Sequence, residues 1–246
     1  MHRERAEKER IDINQAALKA NEEVAMRNRH RFLNDNVLVT NIMGAPGSGK
    51  TTLLEALIPK LNGIRIAVIE GDVAGDADSQ RIRRLGIVAY QINTYGACHL
   101  LAYQVEHAYE HILEDMKKVP NLVMIENVGN LVCPAEFDLG EAIRVVVYSA
   151  TEGDDKPQKY PLMFLRSQVV VLNKADISTA AGYDIESLKR SVQTVNPAAD
   201  VFVVSAKQGT GIDSLAKWFR KRVNLLKKQS YGMKTIGKRT SRKNIQ

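Results

Sequence analysis

The chain reads as an α/β protein, a doubly wound and mostly parallel sheet with helices on both faces. Three observations predict this. Apolar, β-branched runs recur at 38–43, 64–70, 87–92, 122–126, 143–150, 168–173 and 201–206, implying seven buried strands. Amphipathic stretches fill most of the intervals, at 50–61, 98–118, 184–195 and 211–227. This alternation is the signature of parallel strands joined by crossover helices. With 246 residues, 44% of them hydrophobic, the chain can bury a sizeable core.

Taken in order, residues 1–34 form an N-terminal helical extension. Its helix spans 10–33, begins with Ile11, Ile13, Ala17 and Ala20 on one face, and leaves through Leu33-Asn34-Asp35-Asn36. Residues 35–228 hold the strands and their helices. Residues 229–246 are expected to be a basic, flexible tail. Residues 217–246 carry 11 of the 35 basic residues and no acidic one, leaving 24 basic against 28 acidic in residues 1–216. A nucleic-acid surface spread over one face of the fold is therefore disfavoured. Two cysteines, Cys98 and Cys133, exclude a disulfide scaffold and point to a reducing compartment. No signal sequence or membrane span is expected, so the expected setting is cytoplasmic.

The first strand runs into Gly44-Ala45-Pro46-Gly47-Ser48-Gly49-Lys50-Thr51, followed by Thr52 and a helical pattern. Glycines permit a turn whose amides surround a β-phosphate, Lys50 supplies positive charge to β and γ oxygens, and the Thr51 hydroxyl can ligate Mg²⁺. Asn173-Lys174-Ala175-Asp176 ends the sixth strand and Ser205-Ala206-Lys207 the seventh. An Asp176 carboxylate can accept both N1–H and N2–H of guanine, Lys174 can cover the base, and the Ala206 amide can donate to O6, so GTP is expected over ATP. Both segments lie at strand carboxyl ends, where open α/β sheets bind ligands.

Acidic groups gather at the same edge: Glu70, Asp72, Asp76, Asp78, and Glu126 opening Glu126-Asn127-Val128-Gly129. Lys50, Asp72, Asp76 and Glu126 are the expected catalytic groups, with Thr51, Asp72 and Glu126 on Mg²⁺. Glu126-Asn127-Val128-Gly129 resembles a D-x-x-G switch with glutamate for aspartate, and the Gly129 amide can sense a γ-phosphate. Asp78 is equally well read as a helix cap or a solvated turn. No arginine finger is identifiable, so intrinsic hydrolysis is expected to be slow.

Cys98-His99 and Cys133 fall on the same edge. Three soft or borderline ligands suit Zn²⁺ or Ni²⁺ and leave the site open or shared across a symmetric dimer. Taken singly, the residues favour the plainer reading, since a lone cysteine is usually a small buried hydrophobe and a lone histidine a satisfied polar group. His107 and His111, surrounded by Glu106, Glu110 and Glu114, read as a solvated helix face.

The runs QINTYGACHL, MIENVGNLVCPAEFDLGE and SATEGDDKPQKYPLMF resemble the hydrogenase nickel-incorporation GTPases of the HypB type, to which the urease accessory GTPases are related. The resemblance covers about residues 35 to 220. It implies a GTP-dependent homodimer that binds Ni²⁺ or Zn²⁺ at its interface and delivers nickel to the large subunit of [NiFe]-hydrogenase, with a HypA-type zinc partner. Carried over, it puts metal on Cys98, His99 and Cys133, phosphates on Gly44 to Thr51, and guanine on Asn173, Lys174 and Asp176. Asp154, Asp155, Lys156 and Lys159 match a family segment near the nucleotide and the dimer interface. Departures are the Tyr95-Gly96-Ala97 stretch before the Cys-His pair, where the family usually has Gly-Lys, and Leu101, where it usually has aspartate. The latter removes an expected outer carboxylate. The cysteine-rich and histidine-rich nickel motifs of some members are absent, which argues against storage. Rival readings are a GTPase chaperone for urease or a cobalamin-dependent mutase, and a nucleic-acid-binding switch working through the basic tail.

Overall fold

The computed structural model describes the backbone of residues 2–73 and 75–241, and side chains from residue 15 to 228 except those of Ala74 and Ala77. Its centre is a seven-stranded sheet in which every pairing is parallel. The strands are β1 Leu38–Met43, β2 Ile66–Asp72, β3 Val88–Asn93, β4 Leu122–Glu126, β5 Ile143–Ser149, β6 Val169–Asn173 and β7 Asp200–Val203, in the order β3-β2-β4-β1-β5-β6-β7. Strands β1, β4 and β6 are buried along their whole length, while the edge strands β3 and β7 are only partly covered.

The helices are α1 His2–Asp35, α2 Lys50–Leu57, α3 Ala77–Arg83, α4 Ala102–Met116, α5 Cys133–Glu136, α6 Lys156–Lys159, α7 Pro161–Leu165, α8 Ile185–Val195 and α9 Ile212–Ser241. Alternate residues of β5 show the double winding. Val145 and Val147 pack with Leu53 of α2 and Phe219 of α9, whereas Val146 and Tyr148 pack with Phe164 of α7 and Leu188 of α8. On that second face, β2 and β4 meet α1 and α4 through Ile69, Ile125, Phe32 and Tyr109. The α4 stripe Ala102, Val105, Ala108, Tyr109 and Ile112 has the three-and-four spacing of a helix buried on one side.

Two expectations change at the chain ends. The buried face of α1 is Asn21, Ala25, Asn28 and Phe32. Ala17 and Ala20, expected to start it, are exposed, and the side chains of Ile11 and Ile13 lie outside the described residues. The two asparagines work as connectors: Asn21 Oδ1 accepts from the Ala102 amide that opens α4, at 2.8 Å, and its Nδ2 donates to the Asp138 carbonyl. Asn28 Nδ2 donates to the carbonyls of Ala102 and Leu139. At the other end, the backbone of 229–241 continues α9 where a flexible tail was expected, and residues 242–246 lie outside the described residues. No helix among the described residues is long and apolar enough to cross a membrane.

Candidate nucleotide and metal site

The parallel sheet sends every strand's carboxyl end to one edge, and the loops there build two adjoining cavities and a cluster of thiols and imidazole. The larger cavity, about 500 Å³, is lined by the phosphate loop from Pro46 to Thr52, by Glu70 and Asp72 from the end of β2, and by Glu126 to Gly129 after β4. Lys50 Nζ lies against the loop's own carbonyls, 3.3 Å from Gly44 O and 3.2 Å from Ala45 O. Burial lowers its pKa, opposed by Glu126, Glu152 and Glu70, so an ammonium waits in a partly dry site for stronger acceptors.

Gly49 opens α2 at φ +93°, and a Cβ there would lie 2.5 Å from Asn173 Nδ2. A Cβ on Gly129 would lie 2.9 Å from Pro46 Cα, so the switch-like segment touches the phosphate loop backbone to backbone.

The carboxylates fit a hard divalent cation. Thr51 Oγ1 donates to Glu126 Oε1 at 2.9 Å, while Glu126 Oε2 and Glu70 Oε1 are buried with no hydrogen-bond partner. Burial raises the carboxyl of Glu70 and Glu126 adds to it; burial raises Glu126 too, against Lys50 and the Thr51 hydroxyl. Oxygen donors left unpaired at this depth are what a bound Mg²⁺ would satisfy. Asp72 lines the same cavity, its Oδ1 accepting from Val73 N. Asp76 is exposed at the start of α3, outside the lining of this cavity, and accepts from Gln80 Nε2 at 2.7 Å. Asp78, read as a cap or solvated turn, does line the cavity and pairs with Arg81. Arg81 was not anticipated; no motif marks it, and only the packing of α3 on α2 brings it there.

The smaller cavity, about 240 Å³, is bounded by Asn173, Lys174, Asp176, Ile177, Ala206 and Lys207, together with Gly49 and Thr52. Asn173 joins its walls: Nδ2 donates to Ser48 O at 3.0 Å and Oδ1 accepts from the Ala206 amide at 3.1 Å. That amide, expected to meet O6 of a base, is thus already engaged. Lys174, in the left-handed region, donates from Nζ to Gly47 O. Ser205 is buried and holds the last loop through its backbone pairing with Thr210 and its hydroxyl on Gln208 N. Asp176 is exposed at the rim.

The segment from Glu152 to Lys159, which the sequence left without a physical account, is the turn after β5. Glu152 Oε1 accepts from Ser149 N, the Asp154 carbonyl accepts from Ser191 Oγ at 2.5 Å, Tyr148 OH donates to Gly153 O, and Asp155 pairs with Lys159. Lys156 sits over the Tyr160 ring.

Cys98, His99 and Cys133 come together as expected, with their ligand atoms all within 4.8 Å of one another; among the described residues this is the one such group of metal-binding type. The two sulfurs are 2.7 Å apart and Cys98 Sγ is 3.5 Å from His99 Nδ1. Burial and then the Cys98 thiol push Cys133 up to about 11, and burial lowers His99, opposed by Glu136. A soft cation would replace the thiol protons here. His99 stacks on Phe137 at 3.8 Å. His107 and His111 lie apart, edge to face with each other, with His111 stacked on Tyr90. The triad is wired to the phosphate cavity by two asparagines of the switch-like segment. Asn127 Oδ1 accepts from Leu100 N at 3.1 Å, next to His99. Asn130 N donates to Gly44 O, and Asn130 Oδ1 accepts from Val132 N and Cys133 N.

Fold and site together define a P-loop nucleotide-binding protein, and a family model described as the CobW/HypB/UreG nucleotide-binding domain matches residues 38–203. The hydrogenase maturation factor HypB of Azotobacter vinelandii is 42% identical over 235 residues, 92% of this chain and 77% of that protein. The probable hydrogenase maturation factor HypB of Methanocaldococcus jannaschii is 40% identical over 219 residues, 88% of this chain and 97% of its own. A crystal structure of HypB from Helicobacter pylori in complex with nickel matches with a TM-score of 0.79 at 36% identity, covering 83% of this chain and 95% of that one. The chain belongs to the family of HypB hydrogenase maturation factors.

Proposed function

We propose that this chain is a GTP-hydrolysing metallochaperone that binds Ni²⁺ or Zn²⁺ on Cys98, His99 and Cys133 and supplies nickel to the large subunit of a [NiFe]-hydrogenase. It works as a nucleotide-dependent homodimer with a HypA-type partner in the reducing cytoplasm. The observation that carries the reading is the hydrogen-bonded link through Asn130 from Gly44 of the phosphate loop to the Cys133 amide, beside which Asn127, in the lining of the phosphate cavity, accepts from the Leu100 amide next to His99.

Asp176 accepts the two guanine donors, and Asn173 keeps the base cavity at a fixed distance from the phosphate loop. Lys50 exchanges two neutral carbonyls for β and γ oxygens, where its charge counts most as negative charge develops. Thr51, Asp72 and Glu126 would hold Mg²⁺, which when bound neutralises charge on the phosphate oxygens. The Gly129 amide follows the γ-phosphate, and movement of 127–130 reaches Leu100 and Cys133 through the asparagine contacts. Metal affinity then depends on the nucleotide, by a coupling of about 1–3 kcal/mol that must act equally in both directions.

The test is titration of Ni²⁺ and Zn²⁺ into the wild type and into Cys98→Ala and Cys133→Ala, each with GDP and with a GTP analogue, while recording mass. The expected result is tight binding that needs both cysteines and differs between nucleotides. Identical affinities in both nucleotide states, or wild-type affinity in the cysteine variants, would overturn the reading.

A further inference from the structure

We infer that Arg81 is a nucleotide-binding residue that grips the α-phosphate and is held in reserve by Glu55 until a nucleotide arrives. The inference rests on the reading of the two cavities as a guanine-nucleotide site.

Gly49, Thr52 and Lys174 line both cavities and so mark their junction. With the base in one cavity and the terminal phosphates in the other, the α-phosphate must cross at that junction. Arg81 lines the phosphate cavity, and its Nη2 donates to Thr52 Oγ1 at 3.2 Å, which brings a permanent cation to the crossing. Its remaining donors are engaged by carboxylates: Nε and Nη2 reach Glu55 at 3.0 and 2.5 Å, and Nη1 reaches Asp78 at 2.9 Å. Glu55 lies one turn beyond Thr51 on α2, so the guanidinium lies between a carboxylate on one side and the phosphate path on the other. A planar fork with five donors can keep one carboxylate contact while turning another donor onto a phosphate oxygen. Arg81 stands on α3, which follows the loop after Asp72. Gripping the α-phosphate would therefore draw α3 onto any guanine nucleotide, with or without a γ-phosphate. This makes Arg81 a retention device, distinct from an arginine that acts on the terminal phosphate.

The test measures dissociation constants and release rates of fluorescent GDP and a fluorescent GTP analogue, with GMP and guanosine as competitors. The variants are Arg81→Gln, Glu55→Gln and the double variant, each checked by its thermal unfolding midpoint. Arg81→Gln should weaken GMP, GDP and the GTP analogue by the same factor, about tenfold, through faster release, and leave guanosine unchanged. Glu55→Gln should tighten the phosphorylated ligands about threefold in the wild-type background by removing the competing charge, and lose that effect when Arg81 is absent. Equal affinities in wild type and Arg81→Gln would overturn the inference. So would a loss confined to the GTP analogue, or a Glu55→Gln effect independent of Arg81. Failure of the wild type to bind any guanine nucleotide would overturn the underlying reading instead.

Discussion

The base end and the Cys-His end of the sheet edge are built differently. At the base end, Asn173 at the tip of a fully buried strand bonds both neighbouring loops, and Lys174 crosses to a third contact on Gly47. At the Cys-His end, the ligands stand on loop residues and on the first turn of the four-residue helix α5; the side chains of Asn127 and Asn130 bond the amides of Leu100 and Cys133, and the Asn130 backbone carries the bond to Gly44 of the phosphate loop. The first arrangement fixes a distance; the second lets a distance change. A binding pocket that must recognise one base benefits from the former, and a metal site that must release its cargo from the latter.

The largest expected effect lies between the two ends, in the phosphate cavity that both adjoin. Lys50→Ala should lower GTP turnover by about 10²–10³-fold with an unchanged thermal unfolding midpoint, because the ammonium is buried against carbonyls and contributes no apolar packing. Phosphate release and a melting curve decide it, and wild-type turnover would refute the assignment. Next comes the compliant end. Asn130→Ala keeps the backbone link to Gly44 but frees the Val132 and Cys133 amides, so Ni²⁺ affinity should fall by about 10–100-fold and cease to depend on the nucleotide. Competition against a chromophoric chelator in the GDP and GTP-analogue states reads both; a nucleotide dependence as large as wild type would mean that the coupling runs elsewhere.

The smallest effect concerns the support beneath His99. Arg29 of α1 holds Asp138 with contacts of 2.8 and 2.6 Å, next to the Phe137 on which His99 stacks. Burial alone would raise the Asp138 carboxyl, but Arg29 and the Gly140 amide outweigh it and hold it low. A lowered folded-state value gives stability that is present above the ordinary carboxylate range and is lost as pH falls through the folded value. Arg29→Ala should therefore cost about 1 kcal/mol at neutral pH, allowing for the partial exposure of the pair, and flatten the acid limb. Urea unfolding between pH 3 and 7 measures it, and an unchanged acid limb would show that the pair is idle.

How much of this the sequence disclosed follows the same division. All seven strands were legible as apolar, β-branched runs, continuous in the fully buried β1, β4 and β6 and still apolar on the partly covered edges β3 and β7. The phosphate loop and Asn173 to Asp176 were legible because their chemistry is local in sequence. The buried face of α1 was not, since Asn21 and Asn28 serve it through hydrogen bonds that hydropathy does not register. Helices α3, α6 and α7 are too short to show a period. Asp76 and Asp78 are indistinguishable as letters, and only the start of α3 sends one to solvent and the other to the cavity. Arg81 meets Glu55 across 26 positions, a pairing that packing alone creates.

Pro46 and Gly129 are 83 positions apart, yet the missing Cβ of one is filled by the backbone of the other. Any side chain at Gly129 would push the phosphate loop away from the central strand, and no single change at Pro46 can make room, because the obstructing atoms include its main-chain nitrogen and Cα. For a lineage drifting by single substitutions this position is a dead end in every direction.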